Sequence, residues 1–388
     1  MILDRLRAVT DARKTLLGVG PMSMNCINAS IEIANEREIP ILLIASRRQI
    51  DSEAFSGGYV NNWTTEQFAD YVIENDKKGK ILLCRDHGGP WQNQSEVAGN
   101  FSLRRAMDSA KESYRADIQS GFQVIHIDTS VDIHRTPSRQ EVLDRCFELM
   151  EFCWSESQKL NKEIIFEIGT EEQSGSTSSK EELEAMLRAV SQYCKKSKIP
   201  FPAFTVIQCG TRVMETRNVG SFDSPVRVLN EIPTEIQLPQ MIETCNKFGI
   251  MMKEHNTDYL SDDALKWHPR LGIHAANVAP EFGVTETRAI VELYEENGLQ
   301  KEADKLLAIA FDSEKWFKWM LKETVATDRD RAIIAGHYVF SNPDFMEVKE
   351  KASKTLLKKG IETDFVLKSK LKISISRYLK NFRLIENQ

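Results

Sequence analysis

The stretch ILLCRDHGGP (81–90) decides the fold. Its first four residues are apolar, as in a short strand buried on both faces of a parallel sheet. Arg85, Asp86 and His87 follow without a spacer, and Gly88-Gly89-Pro90 then turns the chain with little side-chain bulk. An apolar strand that ends abruptly in chemically active residues is the pattern of a barrel strand and its carboxyl-end loop. Seven further segments repeat it: LLGVGP (16–21), IPILLIAS (39–46), VIHIDT (124–129), IIFEIGT (164–170), FTVIQC (204–209), IMMKEH (250–255) and LGIHAAN (271–277). Helical patterns such as 65–75, 103–120 and 179–195 lie between them. Eight such alternations in about 280 residues predict a (β/α)8 TIM barrel, whose active site lies at the C-terminal strand ends. We therefore expect a barrel domain over 1–285 and a helical C-terminal extension over 286–388. Within the latter, 285–297, 301–310, 313–322, 343–358 and 364–384 read as helices.

Bulk properties exclude several classes. The chain has 388 residues, 41% hydrophobic and 28% charged, with a net charge of −6, which gives no reason to expect nucleic acid. Apolar runs are of strand length, too short for a membrane span. Charges at Asp4, Arg5 and Arg7 leave no signal-peptide core, and seven scattered cysteines without a C-x-x-C pair suit reduced thiols, so a cytoplasmic location is expected. Cys84 and Cys209 fall inside strands and read as core.

The candidate chemistry sits at the strand ends. His87 after strand 3 and His255 after strand 7, with the isolated carboxylate Glu167 in strand 5, predict an open site for a divalent metal, zinc first. A carboxylate flanked by Phe166 and Ile168 needs a cationic partner. Asp86 and Asp128 are the candidates for proton transfer, and alternation puts His126 on the face of Asp128. Arg47 and Arg48 after strand 2, with Arg212 after strand 6, suit a phosphate or carboxylate. Gln208, Asn256, Asp258 and Asn277 complete the expected substrate contacts. His134, His268 and His337 read as surface residues, and His274 as a further site candidate within strand 8. Loops 169–179 and 210–226 follow strand ends and read as working loops.

The stretches FSGGYVNNWTTEQF (55–68), RDHGGP (85–90), HIDTSVD (126–132), EIGTEE (167–172), VIQCGTRV (206–213), EHNTDYL (254–260) and GIHAANVAPEF (272–282) resemble, in this order, the tagatose-bisphosphate aldolase Z subunits. These form the larger, so-called non-catalytic component of a two-part bacterial aldolase, and resemble class II aldolases more broadly. The resemblance implies Asp86 as proton-transfer acid, His87 as zinc ligand, and Glu167 and His255 as further metal-associated residues. It departs at strand 6, where Gln208-Cys209-Gly210 replaces a glycine-histidine zinc motif, and at strand 7, where Asn256-Thr257-Asp258 replaces a glycine-rich phosphate loop. Arg47-Arg48 stand where Z subunits tend to carry uncharged polar residues, pointing to a different anionic substrate.

Three functions follow from these readings. The first is metal-dependent aldol cleavage of a phosphorylated ketose. The second is a non-catalytic subunit that stabilises a separate class II aldolase catalytic subunit. The third is epimerisation of a sugar or sugar acid through the same enediolate or retro-aldol chemistry. The expected partners are an anionic sugar, a class II aldolase subunit and further copies of the chain.

Overall fold

The computed structural model describes residues 1–169, 179–223 and 233–386. Eight parallel strands close into a barrel: β1 Leu16–Val19, β2 Ile41–Ser46, β3 Ile81–Gly88, β4 Val124–Asp128, β5 Ile165–Gly169, β6 Phe204–Ile207, β7 Met251–Glu254 and β8 Ala275–Val278. Each pairs with its neighbours in chain order, and β8 closes on β1 with Leu16 opposite Ala275 and Val19 opposite Val278. The expected (β/α)8 barrel is the observed one.

Most strands are shorter than expected at one or both ends, β1 stopping at Val19 rather than 21 and β6 at Ile207 rather than 209, and two further differences bear on the site. β8 begins at Ala275 rather than 271, because Leu271 belongs to the helix Asp262–Leu271, whose end is closed by Gly272 and Ile273 N–H groups donating to His268 O. β3 runs two residues further, through an irregularity: Arg85 pairs with Ile125 but Gly88 with Ile127, so β3 advances three residues while β4 advances two. This bulge re-aims the side chains between them.

Period-two alternation sorts each strand into an inward and an outward face. Leu16, Leu42, Leu82, Val124, Ile165, Phe204, Met251 and Ala275 fill the amino-terminal half of the barrel, where Ile2 and Leu6 of the helix Ile2–Asp11 close the bottom. Their neighbours Leu17, Leu43, Leu83, Ile125, Phe166, Met252 and Ala276 face the surrounding helices. Two residues further along the inward face the composition turns polar, with His126 on β4, Glu167 on β5 and Lys253 on β7, all 1% exposed or less. All seven cysteines are buried, and none is in a disulfide.

The helix Pro280–Glu296 runs through the boundary expected at 285 and carries the chain into a second apolar cluster. That cluster is built with the helices Gln300–Asp312, Asp328–Ala335 and Pro343–Leu357. The final helix Thr363–Asn381 returns to the barrel, where Leu371, Ile375, Tyr378 and Leu379 join the main core. The segment 313–322, expected as a helix, is turns with one 3-10 stretch, Phe317–Trp319. The preceding helix stops there because Ser313 Oγ donates to Ala310 O and the Trp316 ring folds back, donating to Phe311 O. Among the described residues no helix is long and apolar enough to cross a membrane.

Candidate metal centre at the barrel mouth

Four donors converge where the inward polar faces meet: Asp86, His126, Glu167 and His255, each offering one atom within 4.8 Å of all the others. His255 Nε2 lies 3.4 Å from Glu167 Oε1 and 3.7 Å from Asp86 Oδ1. His126 Nδ1 lies 3.5 Å and 3.8 Å from the same two oxygens. Ligand bonds of about 2.0–2.2 Å to zinc place tetrahedral donors roughly 3.3–3.6 Å apart. These four contacts are close to that spacing, and the two remaining pairs, Asp86 with Glu167 and His126 with His255, lie within 4.8 Å. Two imidazoles and two carboxylates are also a fitting donor set, in which His126 Nδ1 at present accepts the His87 N–H at 3.1 Å, while its buried Nε2 lies against Gly169 without a hydrogen-bond partner among the described residues.

The strands explain how these side chains meet. The β3 bulge puts Asp86 toward the donors while His87, at a φ of 44°, swings to the rim. Gly89 allows this turn: at φ 149° its missing Cβ would stand 1.9 Å from Asp128 O. On the far side Asn277 Nδ2 donates to Asp86 Oδ1 at 3.2 Å, and Gly18 leaves room for that amide, since a Cβ there would sit 2.2 Å from Asn277 Oδ1.

His87, expected as a metal ligand, is not among the four converging donors. Its Nδ1 lies 2.7 Å from Asp128 Oδ2, and its Nε2 lies 3.2 Å from His255 Nδ1. Asp128 is fixed by Gln92 Nε2 at 3.0 Å and by Ser130. Asp86, expected to move a proton, lies within the group of four. His126 and Lys253 complete the centre and were not expected in it. Lys253 Nζ donates to Glu167 Oε2 at 2.7 Å and supplies the cation that a buried glutamate requires. Both lie two residues before a named candidate, His126 before Asp128 and Lys253 before His255, and that parity is the signal that finds them.

The electrostatics follow from this crowding. Burial would raise the Asp86 carboxyl, but the His87, His255 and His126 imidazoles hold it well below the usual carboxylate range. Burial likewise opposes ionisation of Glu167, yet Lys253 brings it down to about 2. Asp128 falls to about 2 as the His87 hydrogen bond outweighs burial. His87 is raised to about 9, because Asp86 and Asp128 overcome the burial that disfavours its charge. For His255 burial prevails and lowers it to about 4. A cavity of about 10 Å³ opens on this group, lined by His87, His126, Asp128, Gly169, Val206, Gln208 and His255.

The remaining candidates separate. Arg47 does not reach the mouth: it is 1% exposed, with Nε 2.9 Å from Asp51 Oδ2, Nη1 2.6 Å from Glu96 Oε1 and Nη2 3.1 Å from Ser109 Oγ. Asp258 is buried and accepts the Ala279 and Glu281 N–H groups at 3.0 and 2.8 Å, securing the start of the helix Pro280–Glu296. Arg48 and Arg212 are exposed, and Asn256 lies beside the site's loop, its backbone oxygen accepting Asn218 Nδ2 at 2.9 Å. His134 is exposed, but His268 and His337 are buried, the former against Glu254 and the latter with its ring tilted at 38° to that of Tyr338, centroids 4.1 Å apart. His274 precedes β8 at the opposite end of the barrel, where its Nδ1 accepts Met252 N–H at 3.0 Å. Of the expected working loops, 170–178 and 224–226 lie outside the described residues.

Comparison with known proteins agrees with this architecture. A family model described as D-tagatose-1,6-bisphosphate aldolase subunit GatZ/KbaZ-like matches residues 7–312. The chain is similar to a probable tagatose 6 phosphate kinase from Sinorhizobium meliloti 1021, with a TM-score of 0.75 and 16% identity over 95% of this chain and 100% of that one. It is also similar to a fructose-bisphosphate aldolase from Campylobacter jejuni, with a TM-score of 0.59 and 12% identity over 99% and 94%. A fructuronate-tagaturonate epimerase from Cohnella laeviribosi matches with a TM-score of 0.60 and 10% identity over 95% and 81%. At these identities the three structures establish a shared fold.

Proposed function

Because the chain belongs to the GatZ/KbaZ-like family of D-tagatose-1,6-bisphosphate aldolase subunits, we propose that it is a metal-dependent aldolase-type protein acting on a phosphorylated ketose. The observation that carries this reading is the convergence of Asp86, His126, Glu167 and His255 at the carboxyl end of the barrel. A divalent ion held by these four would polarise a ketose carbonyl and stabilise the negative charge that develops on its oxygen. Lys253 keeps one Glu167 oxygen engaged, so that the other stays aimed at the donors. Asn277 holds Asp86 differently, donating to the same Oδ1 that faces the donors.

Proton transfer falls to His87 in this proposal. Asp128 accepts from His87 Nδ1, which fixes the ring and leaves Nε2 directed toward His255 and the cavity. A histidine oriented by a carboxylate is a suitable general acid–base pair. Asp128 thus keeps the part expected of it, through His87 rather than by direct contact.

The second reading, a subunit that supports a separate class II aldolase, is favoured by the size of the opening. About 10 Å³ admits one water-sized group and no sugar. One experiment separates the two. Metal content is measured on the purified chain, and cleavage of ketose phosphates and sugar acids is assayed with the chain alone and with a class II aldolase added. Turnover by the chain alone, abolished by chelation, is the expected result. Activity only with the added aldolase, unchanged by His87→Asn, would establish the supporting role and overturn the first reading.

A further inference from the structure

We propose that Arg48 and Lys318 together form a phosphate-binding subsite at the barrel mouth, built half from the loop after β2 and half from the C-terminal extension. It rests on the ketose-phosphate reading and names the group that would hold the substrate's phosphate.

The placement comes from three contacts. Ser46, the last residue of β2, is paired with Asp86, and Arg48 follows in the turn that the Gln49 and Ile50 N–H groups close on Ser46 O, at the same end of the barrel as the candidate metal centre. The backbone oxygen of Arg48 accepts the Tyr59 N–H at 3.2 Å, and the Tyr59 ring packs on Tyr338 with centroids 5.0 Å apart. Lys318 Nζ lies over the same Tyr338 ring at 5.2 Å and over Trp319 at 4.6 Å. The extension is anchored across the mouth at this point, since Glu215 N–H, in the loop after β6, donates to Trp319 O at 2.8 Å.

The chemistry is that of an unmet positive charge. Arg47 is enclosed by Asp51 and Glu96, and the neighbouring Arg48 makes no ion pair or side-chain hydrogen bond among the described residues. Lys318 likewise has aromatic rings but no carboxylate partner among them. Both are exposed, so water screens their mutual repulsion in part, and an anion between them would gain from both charges at once. Loss of water against the rings, together with the Arg48 and Lys315 charges, draws the Lys318 ammonium down to about 8. A hydroxyl is also at hand: Tyr338 accepts the Trp319 indole N–H at 3.2 Å, which leaves its own hydrogen to donate. A guanidinium fork, an ammonium and a hydroxyl match the several oxygens of a phosphate dianion better than the two of a carboxylate.

The test is direct binding of inorganic phosphate to the full chain by calorimetry, with acetate as the carboxylate probe. Arg48→Ala and Lys318→Ala are each expected to weaken phosphate binding at least about tenfold, since each removes charge-assisted hydrogen bonds. Lys354→Ala, which removes the same charge elsewhere on the extension, should leave binding unchanged. Phosphate binding equal to wild type in either variant overturns the subsite, and acetate bound as tightly as phosphate overturns the choice of anion. No turnover is involved. Phosphate binding lost in both variants of a protein that cleaves no ketose phosphate would uphold the subsite while the functional reading fails.

Discussion

Replacing Arg47 by Met should destabilise this protein and leave its chemistry largely alone, although Arg47 stands next to an arginine proposed to bind substrate. The Arg47 guanidinium is buried and donates to Asp51, Glu96, Ser109 and the Gly89 carbonyl. Methionine fills much of the same volume but leaves two carboxylates, both 0% exposed, without their cation. Removing one partner of a buried ion pair costs about 3–5 kcal/mol. Unfolding entropy near the midpoint is about 2.1 cal/mol/K per residue, hence about 0.8 kcal/mol/K for 388 residues unfolding as one unit. The unfolding midpoint should then fall by about 4–6 °C, read by calorimetry or circular dichroism. Adding Glu96→Gln removes one of the stranded charges and should return part of the loss, giving a coupling of about 0.5–3 kcal/mol in the double-mutant cycle. Arg48→Ala, at an exposed position, should stay within about 0.5 kcal/mol of wild type. If Arg47→Met unfolds at the wild-type midpoint and only raises KM, the buried network does not hold this loop and Arg47 is a substrate ligand after all.

Elemental analysis should find a divalent metal in the wild type, lost in Glu167→Gln and His255→Ala and retained in His87→Asn; loss in His87→Asn would return His87 to the ligand set. His87→Asn should instead lower turnover on the order of 10²-fold, within the usual range for acid–base catalysis, measured as kcat. Asp258 sits beside Glu281 with its pKa raised by burial, chiefly, to about 7. The folded state therefore binds its proton more tightly than the unfolded one, and the stability this gives is full below about pH 4 and lost as pH rises to 7. Asp258→Asn should consequently gain on wild type across that window, by up to about 1.4 kcal/mol per pH unit, and urea titrations showing a constant difference would rule this out. Gly89→Ala should cost more than about 1 kcal/mol, because a Cβ at that φ meets the Asp128 carbonyl; a wild-type midpoint would show that the turn is not fixed.

The sequence by itself determined the barrel and the zone of its site. Strand length, the buried apolar runs and the helices between them are local patterns, and one period-two count from Ile165 to Glu167 places a carboxylate on the inward face. The same count, applied from Asp128 back to His126 and from His255 back to Lys253, contains the rest of the centre. Tertiary structure alone decided which neighbours answer which charges. Arg47 and Arg48 are identical in type and adjacent in sequence, yet one is enclosed by Asp51 and Glu96 and the other is exposed at the rim. The β3 bulge puts Asp86 rather than His87 in the converging group of four, and a register shift depends on the partner strand and not on the residues that carry it. His268 and His337 read as polar surface, but Phe382 covers the first and Gly283 and Tyr59 lie against the second. Periodicity is set by the chain's own geometry within a few residues. Countercharge and cover come from segments far along the chain, and no local pattern records them.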